Sequence, residues 1–200
     1  MAIPIQPREP SCRAISTQRS LSLYDMDEYS FGAYMGRYTW ERHPASKSWF
    51  SADNPLEWVL SLSWAEFNSL YRAANAEILD LFTEDLRADP PAGPLIVDGG
   101  ITHPSVLAQV LPAAHVFCIG IDVQSGADCW NHDPARAPMK EMVCKLDNPN
   151  ASWPKFLEFD RLISETIVGE SEEAGIKVHY RDEALTLTDL AAIILEHFRL

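Results

Sequence analysis

Asp25 and Asp27 stand two residues apart, directly after the apolar residues 21–24. Carboxylates at i and i+2 behind a strand can hold Mg²⁺ through waters, or accept the proton of a substrate hydroxyl. The same pair can instead form a turn that caps the next helix. Leu95-Ile96-Val97 is likewise apolar and runs into Asp98-Gly99-Gly100. An acid at a strand end can support a metal-bound nucleotide, and two glycines let backbone N–H groups approach an anion. A tight strand-to-helix turn uses the same residues. Between the two acidic sites lies an aromatic-rich stretch in which Tyr34, Arg37, Arg42 and His43 are interleaved. That mixture can stack a planar ring and clamp an anion, whereas Trp58, Trp64, Phe67 and Tyr71 read as core.

Cys129-x2-His132 and Cys144-x2-Asp147 have the spacing of zinc-ligand pairs. No Cys-x2-Cys pair accompanies them and Asp is a poor structural ligand, so zinc is not expected. Arg136, Lys140 and Lys145 lie in the same stretch and can contact phosphates or simply form a solvated surface. No G-x-G-x-x-G and no Gly-x-Ser-x-Gly occurs, so neither a dinucleotide fingerprint nor a serine elbow is present.

The elements that must position these residues alternate. Residues 21–24 form a strand, and 64–87 a long helix opened by the capping box Ser63-x2-Glu66. A strand follows at 95–97, a helix at 104–112, and a strand at 115–121 that leads into Asp122. Residues 123–150 are polar with Pro134, Pro138 and Pro149, and read as an irregular, lid-like segment. A helix over 154–169, a strand at 176–180 and a helix over 190–198 capped by Thr188 complete the chain. Alternation with continuous apolar strands predicts an α/β fold, a three-layer parallel sheet with helices on both faces. Ligands in such sheets sit beyond the carboxyl ends of the strands, where Asp25, Asp98 and Asp122 all emerge.

Composition narrows the partners. The net charge of −13 opposes binding to a nucleic acid duplex. No apolar run reaches the roughly 18 residues a bilayer span needs, and no secretory h-region is present. Four cysteines at this length make no disulfide framework and point to free thiols in a reducing cytoplasm. Residues 1–20 carry Arg8, Arg13 and Arg19 against Glu9, a balance of +2 that leaves −15 for the rest. That shift sets an irregular N-terminal segment, 1–20, against a single domain over 21–200.

Residues 21–200 resemble the P-loop nucleoside/nucleotide-type kinases, small-molecule phosphotransferases with a mobile lid. The resemblance rests on Tyr24-Asp25-Met26-Asp27-Glu28 after the family's second strand and on Arg37 and Arg42. It rests also on Pro94-Leu95-Ile96-Val97-Asp98-Gly99 as the third strand, and on a lid with its following helix. It implies that Asp25 or Asp27 orients the acceptor hydroxyl, and that Arg37 and Arg42 bind the acceptor's anionic group. It further implies that Asp98 supports Mg²⁺ beside ATP, with lid cations steadying the phosphoryl group. The implied substrate is a small hydroxylated metabolite or nucleotide.

One departure matters. The family's G-x-x-x-x-G-K-[ST] loop is absent, and residues 1–20 hold no glycine. Three readings follow: an impaired kinase, a non-catalytic binding protein on the same fold, or an incomplete gene product. An in-frame Gly-Lys-Ser/Thr segment upstream of Met1 would restore the enzyme reading. In the family the strand before that loop lies mid-sheet. Strands at 95–97 and 116–120 should therefore flank its place, and either close on each other or gape. Residues 1–10 should be irregular.

Overall fold

The computed structural model describes residues 10–120, 123–180 and 185–200. Along the chain run α1 (Pro10–Arg19), β1 (Ser22–Asp25), α2 (Met26–Ser30), α3 (Pro44–Phe50), α4 (Pro55–Ser61) and α5 (Trp64–Ala88). They are followed by β2 (Leu95–Asp98), α6 (Pro104–Leu107), β3 (Phe117–Gly120), α7 (Val123–His132) and α8 (Ala137–Val143). The last elements are α9 (Pro149–Glu173), β4 (Lys177–Tyr180) and α10 (Leu187–Phe198). The fold is α/β and mostly helical.

The strands form two parallel pairs. β1 lies beside β2 with Asp25 opposite Asp98, and β3 lies beside β4 with Phe117 opposite Lys177. Among the described residues no ladder joins β2 to β3. Of the two outcomes expected at that junction, the strands gape. Asp122 and residues 1–9, on which further expectations fell, lie outside the described residues.

Local sequence explains the long helices. Ser63 Oγ accepts from the Glu66 N–H at 3.3 Å, while Glu66 Oε2 accepts from the Ser63 N–H at 2.8 Å. This box starts α5, and its buried stripe Phe67, Tyr71, Ala74, Ile78 and Phe82 follows the 3.6-residue period. The cap of α10 is Thr186 rather than Thr188, because Thr186 and Asp189 satisfy each other's N–H groups. Ile15 of α1 packs with Leu190, Ala191, Ile194 and Leu195 of α10. Residues 10–19 are thus a helix, where the charge and proline pattern of 1–20 read as irregular.

The segment over 123–150 is also not irregular. It folds as α7, a single 3₁₀ turn at Pro134–Arg136, and α8, and α9 begins at Pro149 rather than Pro154. The prolines that read as breakers occupy first-turn positions, where the missing N–H costs nothing. Only Pro154 lies inside a helix. Among the described residues, no helix is long and apolar enough to cross a membrane.

Candidate functional site

A cavity of about 360 Å³ occupies the gap between β2 and β3. Ile15, Ile96, Val97, Phe117, Ile119 and Ile194 form much of its wall. Asp27, Asp98, Gly99, Gly100 and Thr102 line it at the end of β2. Of the sequence-derived site residues, these four (Asp27, Asp98, Gly99 and Gly100) are the ones the fold brings together around one space.

The loop after β2 is built by its glycines. Gly99 and Gly100 both adopt left-handed backbone, with φ of 77° and 76°, which an L side chain rarely tolerates. The Gly100 N–H donates to Asp27 Oδ1 at 2.9 Å. Asn75, buried on α5, accepts from the Thr102 and His103 N–H groups at 2.6 and 3.0 Å. Glu170 of α9 accepts from the Ser105 N–H at 3.0 Å, and Arg72 reaches both Ser105 and Glu170. Burial alone would raise the Glu170 carboxyl. The Ser105 hydrogen bonds and the Arg72 charge outweigh that and hold it below the usual range. Burial holds His103 below its ordinary value; Glu170 opposes this, and Arg72 adds a smaller push in the same direction as burial.

This arrangement decides the fit of a nucleotide. A triphosphate needs unspent N–H groups and at least one cation. Here the N–H groups of residues 100, 102, 103 and 105 already donate to Asp27, Asn75 and Glu170. No Lys or Arg is among the described residues that line the cavity. The four residues of α6 offer no further turn of open N–H groups. ATP and its Mg²⁺ therefore do not fit the described residues.

The other candidate residues are placed elsewhere. Asp25 caps α2 by accepting from the Glu28 N–H at 3.1 Å, and Arg13 approaches it at 3.6 Å. Arg37 and Arg42 turn to the acidic face of α5. Arg37 bonds Asp85 at 2.5 Å and Glu84 at 3.1 Å; Arg42 bonds Asp80 at 2.7 Å and also Glu84. Tyr34 is buried and donates to Asp85 at 2.9 Å. His43 is buried with its Nδ1 accepting from the Thr39 N–H at 3.3 Å. Arg136 stacks 4.4 Å over Trp130, and Lys140 donates to Asn131 at 3.1 Å. None of these side chains is among the described residues lining the cavity.

No family model, curated protein or solved structure matches this chain. The site is accordingly read from its own geometry. Among the described residues, no three His, Cys, Asp or Glu side chains converge as a metal group. Cys129, His132, Cys144 and Asp147 form no such cluster.

Sequence reasoning passed over Asn75 and Glu170, which hold the loop in place. Asn75 had a signal, since an amide inside the stripe Tyr71, Ala74, Ile78 has no apolar purpose. Asp160 of α9 was also missed. It faces a second, smaller space of about 60 Å³ among Trp49, Leu56 and Phe159. Burial pushes its carboxyl up, and the Trp130 indole and Arg136 charge offset this only in part. The Trp130 Nε1 finds no hydrogen-bond partner of good geometry. A raised folded-state value means that stability falls as pH climbs above the ordinary carboxyl range. Asp160→Asn should therefore raise the melting temperature at pH 7 by about 2–4 °C. The gain should vanish near pH 4, as differential scanning fluorimetry across pH would show; a gain independent of pH would assign it to packing.

Proposed function

We propose that this chain is a non-catalytic binding protein built on a P-loop-kinase-like α/β frame. One observation carries the reading: the loop at 99–105, where the frame would need open N–H groups, spends them on Asp27, Asn75 and Glu170. Beside it lies a largely apolar space lined by no described Lys or Arg. On this reading β1–β2 and β3–β4 are the two halves of a three-layer fold, parted where the phosphate-binding strand would run. The ligand is apolar and enters that parting.

A second reading keeps the chain an enzyme lineage. It is favoured by Asp27 and Asp98, which line one cavity at the carboxyl end of β2. If a phosphate loop were supplied from elsewhere, Asp27 would orient an acceptor hydroxyl. Asp25 would keep its capping role.

Isothermal titration with Mg-ATP tests the binding-protein reading. The expected result is no binding tighter than about 1 mM, a free energy weaker than roughly −4 kcal/mol. The absence of a cationic N–H nest leaves little to hold three phosphates. A micromolar affinity would overturn the binding-protein reading.

A further inference from the structure

The gap between β2 and β3 has the features of a strand's place rather than of a small-molecule pocket. The cavity touches Ile96 and Val97 in succession on β2, and Phe117 through Ile119 in succession on β3. Successive residues of a strand point to opposite faces, so a space that meets them all lies along the strand's edge. Each strand of a two-stranded parallel ladder bonds its partner through alternate residues and turns its other N–H and C=O groups outward. Among the described residues neither β2 nor β3 pairs on its second edge, and the cavity is lined by successive residues of both. Val97, in the middle of β2, is 42% exposed.

The two edges also share their faces. Ile96, Phe117 and Ile119 all pack on the cluster formed by Ile15 of α1 with Leu190, Ala191, Ile194 and Leu195 of α10. Leu95 faces α5 through the cluster of Ile78, Leu79 and Phe82, and Cys118 is buried beside Ser171 of α9. An occupant that alternates side chains with a period of two would meet α1 and α10 on one side, and α5 and α9 on the other. A helix or a lipid chain would fill volume but leave the edge N–H and C=O groups unpaired, at a cost of about 1–3 kcal/mol each.

We infer that the gap is a docking site for one extended, proline-free strand of a separate polypeptide, apolar at its centre and flanked by basic residues. The basic flanks follow from the net charge of −13. Residues 1–9 suit the site poorly as a sequence. Pro4 and Pro7 have no N–H to give, and only Ile5 and Gln6 lie between them. The strand adds to both edges at once, a two-sided form of β-augmentation. This inference rests on the binding-protein reading and names its ligand.

The test uses the full chain and a synthetic peptide with a five-residue Val/Ile centre and two lysines at each end. Calorimetry should give micromolar binding. Hydrogen exchange at residues 95–97 and 117–120 should slow by about tenfold or more on addition of the peptide, as new ladder bonds form. The same peptide with alternate N-methylated amides should bind at least about tenfold more weakly, the loss of one or two hydrogen bonds. Val97→Arg, a change at an exposed position, should weaken the peptide comparably while leaving the melting temperature unchanged. Four results would overturn the inference. They are no binding; equal binding of the N-methylated peptide or of palmitate; slow exchange at those residues already in the free chain; or a dimer by light scattering that protects them. ATP titration reports on the binding-protein reading alone, so a failed peptide with no ATP binding condemns only the strand.

Discussion

Gly100→Ala is expected to destabilise the protein by about 3 kcal/mol and to lower its melting temperature by roughly 6–12 °C. Two costs add. At φ 76° a side chain costs about 1–2 kcal/mol relative to glycine. A Cβ there would also sit 1.9 Å from Met26 Cγ and 2.6 Å from Met26 Cβ. Met26 is 1% exposed and packs with Tyr34, Leu81 and Phe82, so it can yield only toward the cavity it lines, and overpacking costs about 1–3 kcal/mol more. The smaller unfolded-state entropy of alanine returns about 0.4–1 kcal/mol. Gly93→Ala is the control. It has no heavy atom within 4 Å of a built Cβ and no positive φ, so it should be neutral or slightly stabilising. Urea titration of both variants decides the matter. A Gly100→Ala value within 0.5 kcal/mol of the parent, the range of an ordinary surface change, would mean that Met26 can move. The wall between α2 and the cavity would then be soft.

The legible parts of this structure were those fixed by local chemistry. Ser63-x2-Glu66 announced α5, and the apolar runs ending at Asp25 and Asp98 announced β1 and β2. The gap between β2 and β3 was expected only through the resemblance to P-loop kinases, in which the strand before the phosphate loop lies mid-sheet; the alternation of strands and helices by itself did not place it. Other parts turned on distant partners. Arg37 and Arg42 read as an anion clamp because a sequence shows their charge but not what faces them. Their partners Asp80, Glu84 and Asp85 lie 38 to 48 residues further along the chain, on α5. Prolines at 134, 138 and 149 look alike in sequence whether they break a helix or begin one. What separates the two is whether the N–H they lack was needed, and that depends on where each helix starts.

The same acidic face of α5 carries the second large effect. Tyr24 and Tyr34 hydroxyls lie 2.5 Å apart, and both reach Asp85 Oδ2, at 3.0 and 2.9 Å. Arg37 bonds Asp85 Oδ1 and stands 5.0 Å from the Tyr34 ring. Burial raises both phenols well above their ordinary value, so they remain protonated donors at every accessible pH. Burial would also raise the Asp85 carboxyl, but the hydrogen bonds from Arg37, Tyr34 and Tyr24 and the Arg37 charge overcome it and hold the group below its ordinary 3.8. A depressed folded-state value gives stability that is complete above the ordinary carboxyl range and is lost as pH falls through the folded one. Asp85→Ala should therefore cost about 2–3 kcal/mol at pH 7, where it leaves the Tyr24 and Tyr34 hydroxyls only each other as partners and releases Arg37 to Glu84 alone. The figure sits below that of a fully buried pair because the Asp85 side chain is 28% exposed. Parent and variant should converge in urea stability only once the pH has fallen well below the ordinary carboxyl range, when the parent's own carboxyl protonates and the ion pair to Arg37 is lost in both. A cost that stays constant from pH 7 into acid would assign Asp85 to packing and remove the charge from the account.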